Sequence, residues 1–251
     1  MPFTLSHPAA VLPLVRWGLP PSALGAGAVA PDVPYYLLPS YRGWPTHESW
    51  AVLCVDLALG LAVLTCFHVL WKPACVALAP SRLRGALVLP ALGCAGPRRE
   101  GRRGWGLLVA AVLAGAATHV AWDAFTHADG QVAGRVEVLR EPLAGQLPAY
   151  RVLQHASTVV GAVVLAAWAR RWAASAPRRP VPTWLHLAPA RCRRWRLVVT
   201  GAALLVGAVR AASAAGPAMA PDAVEGVVLG TALALAVASL LLTRAGRKQD
   251  P

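Results

Sequence analysis

Five stretches of about twenty apolar residues constrain this chain more than anything else in it, because a bilayer core is crossed by roughly that many residues in helical form. They fall at 50–71, 105–125, 153–172, 197–219 and 223–243. Hydrocarbon offers no partner to a free backbone N–H or C=O, so each stretch must close its hydrogen bonds within itself. The expected fold is therefore an all-α polytopic membrane helix bundle, one integral membrane domain over residues 1–251 with about five transmembrane helices. Composition agrees: 57% of residues are hydrophobic and 14% charged, with a mean hydropathy of +0.51. Soluble domains carry about a quarter of charged residues.

Charge sets the orientation. Eighteen of the 24 Lys and Arg lie in three segments, Lys72 to Arg103, Arg170 to Arg196 and Arg244 to Lys248. The intervening segments, His127 to Arg151 and Pro217 to Asp222, are balanced or carry no basic residue. The bias alternates from loop to loop, which places the basic loops and the C-terminus in the cytoplasm of a multi-pass protein of the cell membrane. The net charge of +13 is thus read as topology and not as a nucleic-acid interface. Trp50 and Trp71 frame the first span as interfacial anchors.

Residues 1–49 then form an outer cap. Their apolar runs are broken by Pro13, Pro20, Pro21, Pro31, Pro34 and Pro39, so they read as short interfacial or re-entrant helices and not as spans. The opening residues lack a basic run, and the first span is expected to act as the targeting signal. Pro73 to Gly96 reads as an amphipathic surface helix. Cys54, Cys66, Cys75, Cys94 and Cys192 form no CxxC pair and read as reduced thiols.

Ionisable groups in lipid are costly and gather where there is work or a partner for them. His119, Asp123 and His127 close the second span at i, i+4 and i+8, on one helical stripe roughly 80° wide, with Thr126 beside it. Imidazole and carboxylate are ligand types for zinc and similar ions. His119 and His127 stand about 12 Å apart along the axis and cannot share one ion, but each can share one with Asp123. Further ligands must come from other segments. Candidates on the same side are His155 with Gln154, His7, Asp32, and His47 with Glu48, with Asp56 two turns inside the first span. His47 itself reads first as a solvated loop histidine. Asp56 and Arg210 read as a mutual or helix-end ion pair, and His68 and His186 as structural.

Five blocks in this order, MPFTLSHPAAVLPL, APDVPYY, the TH…VDLALGL stretch at 46–61, THVAWDAFTH and YRVLQHASTVVG, resemble the bacterial membrane family known as domain of unknown function 4184. More distantly the chain resembles predicted membrane-bound metal-dependent hydrolases, which share an early His, an Asp, and a helix with His-xxx-Asp and a trailing Thr-His. The matching positions here are His7, Asp32, His119, Asp123, Thr126 and His127. The resemblance implies an outward-facing hydrolase in which His7, Asp32, His119 and Asp123 hold one divalent ion, zinc by the ligand set. His127 holds a second ion or serves as acid/base, and His155 orients water or substrate. A site at headgroup level makes a lipid-linked phosphoester the natural substrate class. The other reading of the same residues is a proton or cation relay in a small transporter, or a polar knot in a membrane scaffold.

Overall fold

The computed structural model of the chain describes residues 4–37, 45–88, 101–213 and 219–246. Its helices are α1 (Pro8–Val15), α2 (Pro21–Val29), α3 (Val33–Leu37), α4 (Val55–Cys66), α5 (Lys72–Leu78), α6 (Ser81–Leu87), α7 (Gly101–Thr126), α8 (Ala149–Ser175), α9 (Pro189–Ser213) and α10 (Met219–Gly246). Between α7 and α8 a minimal hairpin pairs β1 (Pro142–Ala144) with β2 (Leu147–Pro148) across Gly145, whose φ of 61° suits glycine. Five helices are long and apolar enough to cross a membrane: Val55–Leu78, Arg103–Thr126, Ala149–Ser175, Pro189–Ser213 and Asp222–Arg244. The chain is an all-α membrane helix bundle.

The helix ends depart from the expected ones for local reasons. The first span begins at Val55, after a 3-10 turn over Ala51–Leu53, and continues past Trp71 to Leu78. Pro73 cannot donate to a carbonyl one turn back, and a π-helical turn over Phe67–Trp71 absorbs the break just before it. The fourth begins at Pro189, which is pre-set for a first helical turn, so that Arg191, Arg193, Arg194 and Arg196 are helical and not loop residues. In the described part of the segment read as a surface helix, Pro73–Leu78 continues the first span and Ser81–Leu87 forms a separate short helix, and Cys94 lies outside the described residues.

Two compact units are present. The first comprises Met1–Leu64 and Gly96–Ala174. Here α1 and α2 form a helical hairpin that turns at Gly18, where φ is 82° and a side chain would be strained. The hairpin lies along α7, and glycine makes that possible: a methyl group at Gly27 would stand 2.0 Å from the Val112 carbonyl oxygen, and one at Gly115 would stand 2.3 Å from that of Leu24. Val11, Leu24, Leu64, Leu108 and Val112 fill the core between them. The proline-broken N-terminal segment is thus packed as far along α7 as its middle. Both ends of the hairpin, His7 before α1 and Asp32 after α2, come back to the C-terminal end of α7.

The second unit comprises Thr65–Ala95 and Ser175–Pro251. Its centre is the antiparallel pair α9 and α10, drawn together at Gly207, Gly226 and Gly230. Leu185, Cys192 and Leu242 pack with Val76 and Ala77 of α5. Arg210 pairs with Glu225 at 3.0 Å. Of the two expected arrangements for Arg210, a pair with Asp56 or a helix-end pair, this is the helix-end one, made with an acidic side chain on the neighbouring helix of its own unit.

Candidate metal centre

The end of α7 carries the site because its last turns are polar on one side only. His119 is completely buried and Asp123 nearly so, while Trp122 and Phe125 on the other side are exposed. Helix periodicity makes that division, placing His119, Asp123 and His127 on one line. The helix stops where the chain folds back over it: the N–H groups of Val132 and Ala133 both donate to the Ala124 carbonyl, at 3.1 and 2.9 Å.

Four side chains from three distant segments meet there. One ligand atom from each of Asp32, His47, His119 and Asp123 lies within 4.8 Å of every other. Asp32 Oδ1 is 3.4 Å from His47 Nε2 and 3.6 Å from His119 Nε2. Asp123 Oδ2 is 3.3 Å from His47 Nε2 and 3.2 Å from His119 Nε2. Ligands held at about 2.0–2.2 Å by a tetrahedral ion stand about 3.4 Å apart, so these four edges match such a shell.

The outer contacts fix how each ligand faces. His119 Nδ1–H donates to the Ala28 carbonyl at 2.7 Å, which leaves Nε2 as the nitrogen turned to the two carboxylates. Neither His119 Nε2 nor Asp32 Oδ1 has a hydrogen-bond partner, although both are buried. A lone pair facing two carboxylate oxygens in a dry site requires a proton or a metal ion between them. Thr4 donates to Asp32 Oδ2 at 2.5 Å and so reserves Oδ1 for the cluster. The Thr46 hydroxyl lies 3.3 Å from His47 Nδ1.

The remaining expected site residues divide. His7 is buried beside the four, its Nε2 3.5 Å from Asp123 Oδ1 and its ring stacked on that of His119 at 3.9 Å. His127 reaches Asp123 Oδ1 at 3.5 Å and meets Gln154 of α8 at 3.3 Å. His155, by contrast, is exposed on α8, and it is the preceding Gln154 that points inward. Thr126 is buried, and its hydroxyl donates to the Trp122 carbonyl at 3.2 Å. Asp56 is buried with both oxygens lacking a hydrogen-bond partner. His47, read from the sequence as a solvated histidine, is instead central. Its signal was the position immediately ahead of an apolar span that already contains Asp56, which puts it at the level where the second span ends.

Electrostatics follow from this packing. Burial works against charge on Asp32, yet the imidazoles of His119 and His47 hold its carboxyl well below the ordinary carboxylate range. Burial would lower the pKa of His47, but the adjacent carboxylates of Asp123 and Asp32 carry it up to about 9. Burial, reinforced by His119, pushes His7 down to about 4. Burial also lowers His127, more than Asp123 raises it.

His47, Asp123 and His127 open on a cavity of about 860 Å³. Its lining mixes polar Glu48, Ser49, Asp129 and Gln131 with apolar Leu53, Ala117, Val120 and Ala121.

The model of a family described as "Domain of unknown function (DUF4184)" matches residues 1–244. No curated protein and no solved structure matches the chain.

Proposed function

This chain belongs to the DUF4184 family, and for it we propose a metal-dependent hydrolase that cleaves an amphiphilic ester, a lipid-linked phosphoester above all, at the outer surface of the cell membrane. One observation carries the reading: Asp32, His47, His119 and Asp123 present four inward ligand atoms that all lie within 4.8 Å of one another, close enough to surround one ion. Two carboxylates and two imidazoles favour zinc among the common divalent ions. When bound, the ion supplies a Lewis acid and a water ionised near neutral pH.

The residues around it supply the rest. The cavity has polar lining from Glu48, Ser49 and Asp129, which suits a headgroup. It is apolar along Ala117, Val120 and Ala121 of α7, a wall that extends about 9 Å from Asp123 toward the helix middle. A chain of methylenes fits that wall. The cell-membrane location, with the site outward and the C-terminus in the cytoplasm, rests on the arginine bias of the loops.

The test is hydrolysis by the purified full chain in mixed micelles, with and without added zinc. A short-chain phosphodiester and the same headgroup on a diacyl lipid serve as the pair of probes. Zinc-dependent release from the diacyl probe, lost in Asp32→Asn and in Asp123→Asn, is the expected result. Turnover that survives chelation, or that is unchanged in both variants, overturns it.

A further inference from the structure

The four-ligand cluster uses only one oxygen of Asp123. The other, Oδ1, is buried and has no hydrogen-bond partner, and the same is true of His7 Nε2. Their side chains are 6% and 3% exposed, so water does not satisfy them. They stand 3.5 Å apart, and His127 Nδ1 approaches the same oxygen at 3.5 Å from the cavity side. Those separations are long for charge-assisted hydrogen bonds but match neighbouring ligands of one ion, about 3.4 Å.

We propose that His7, Asp123 and His127 hold a second divalent cation, with the Asp123 carboxylate bridging it to the first. The reading rests on the four-ligand site already described, whose ion would occupy Oδ2. Carboxylate-bridged pairs place their ions about 3.5–4 Å apart, a spacing that suits the two oxygens of one carboxylate. His127 is prepared for the role from behind. Its Nε2 lies 3.3 Å from the buried Gln154 amide, whose oxygen, after a half-turn of the amide, accepts from Nε2–H and leaves Nδ1 as the ligand nitrogen. Nδ1 also lies 3.3 Å from the Asp123 backbone carbonyl and 3.5 Å from the Thr126 hydroxyl, so a small ring rotation turns it from those oxygens to the ion. His7 is held by the hairpin: it precedes Pro8 at the start of α1, and its ring is stacked on His119.

This assignment separates the histidines by task. His47 and His119 belong to the first ion, His7 and His127 to the second, and only Asp123 serves both. The second ion faces the cavity through His127 and Asp123, both of which line it. A phosphoryl or acyl oxygen entering from the cavity would then meet two cations instead of one.

Zinc stoichiometry of the purified full chain, after equilibrium dialysis against zinc, tests the proposal. Two zinc per chain are expected for the wild type and one for His127→Ala and for His7→Ala. Manganese in place of zinc should give an exchange-coupled resonance spectrum in the wild type and an uncoupled one in His127→Ala. Should His7→Ala fail to fold, His127→Ala carries the test, because its ring stands at the cavity edge. One zinc in the wild type, unchanged in His127→Ala, overturns the second site and leaves the first. No zinc in the wild type removes both.

Discussion

Asp123 is the residue on which the account turns, because its two oxygens face different histidines. Asp123→Ala should abolish zinc binding, whereas His47→Ala should weaken it by on the order of 10²-fold or more, since losing a direct ligand exceeds the usual cost of an outer contact. Equilibrium dialysis of both variants checks this. The pH dependence has a definite sign. The neighbouring carboxylates hold His47 protonated up to about 9, and an ion must displace that proton. Zinc affinity should therefore rise with pH between 6.5 and 8.5, by about tenfold per unit for each proton displaced, and calorimetry in buffers of different ionisation enthalpy should register the released proton. At this scale the sequence was sharp about α7 and diffuse about its partners. The i, i+4 spacing named His119 and Asp123 directly, whereas His7, Asp32 and His47 were candidates only by lying on the same side, and resemblance singled out His7 and Asp32. His47 was hidden because a histidine among Thr46, Glu48 and Ser49 looks solvated until α7 and Asp32 are brought against it. His155 misled for the converse reason: one step along α8 turns a side chain by about 100°, and that step points Gln154 inward and His155 out.

At the scale of elements, the hairpin of α1 and α2 delivers ligands by both of its ends. Its approach to α7 depends on Gly27 and Gly115. Gly27→Ala should force the hairpin off α7, lower the melting temperature and weaken zinc binding, because Ala28 orients His119 and Asp32 follows four residues after it. Overpacking of this kind costs about 1–3 kcal/mol. Gly25→Ala, in the same helix with nothing within 4 Å of the new methyl, should do neither. Thermal denaturation of the two variants in one detergent compares them directly. Proline spacing in residues 1–49 announced broken helices, but nothing local said which helix they pack on. The complementary glycines of α2 and α7 make that choice, a long-range match that no single segment displays.

For the whole molecule, hydrophobic length and arginine bias were enough to read five spanning helices, because lipid leaves the backbone so few options. Helix ends were less legible: Pro73 and Pro189 each let a helix run where a charged loop had been expected. The side on which the site opens is a consequence of the basic loops and can be tested apart from the chemistry. Val138, between α7 and α8, is 61% exposed and tolerates a probe. In a cysteine-free background, Val138→Cys should react with an impermeant maleimide on intact cells, and reaction only after lysis would place the site inside. Gly130 is a poorer position, since a side chain there would meet the Ala124 carbonyl at 2.5 Å.

The central claim is that segments far apart in sequence enclose a cation with oxygen and nitrogen alone. X-ray absorption at the zinc edge of the loaded, full-length protein addresses it most directly. The account predicts a first shell of nitrogen and oxygen at about 2.0–2.1 Å with imidazole scattering behind it, and loss of that imidazole signal together with the metal in Asp123→Ala. A sulfur shell at about 2.3 Å, or zinc retained unchanged in Asp123→Ala, would contradict it.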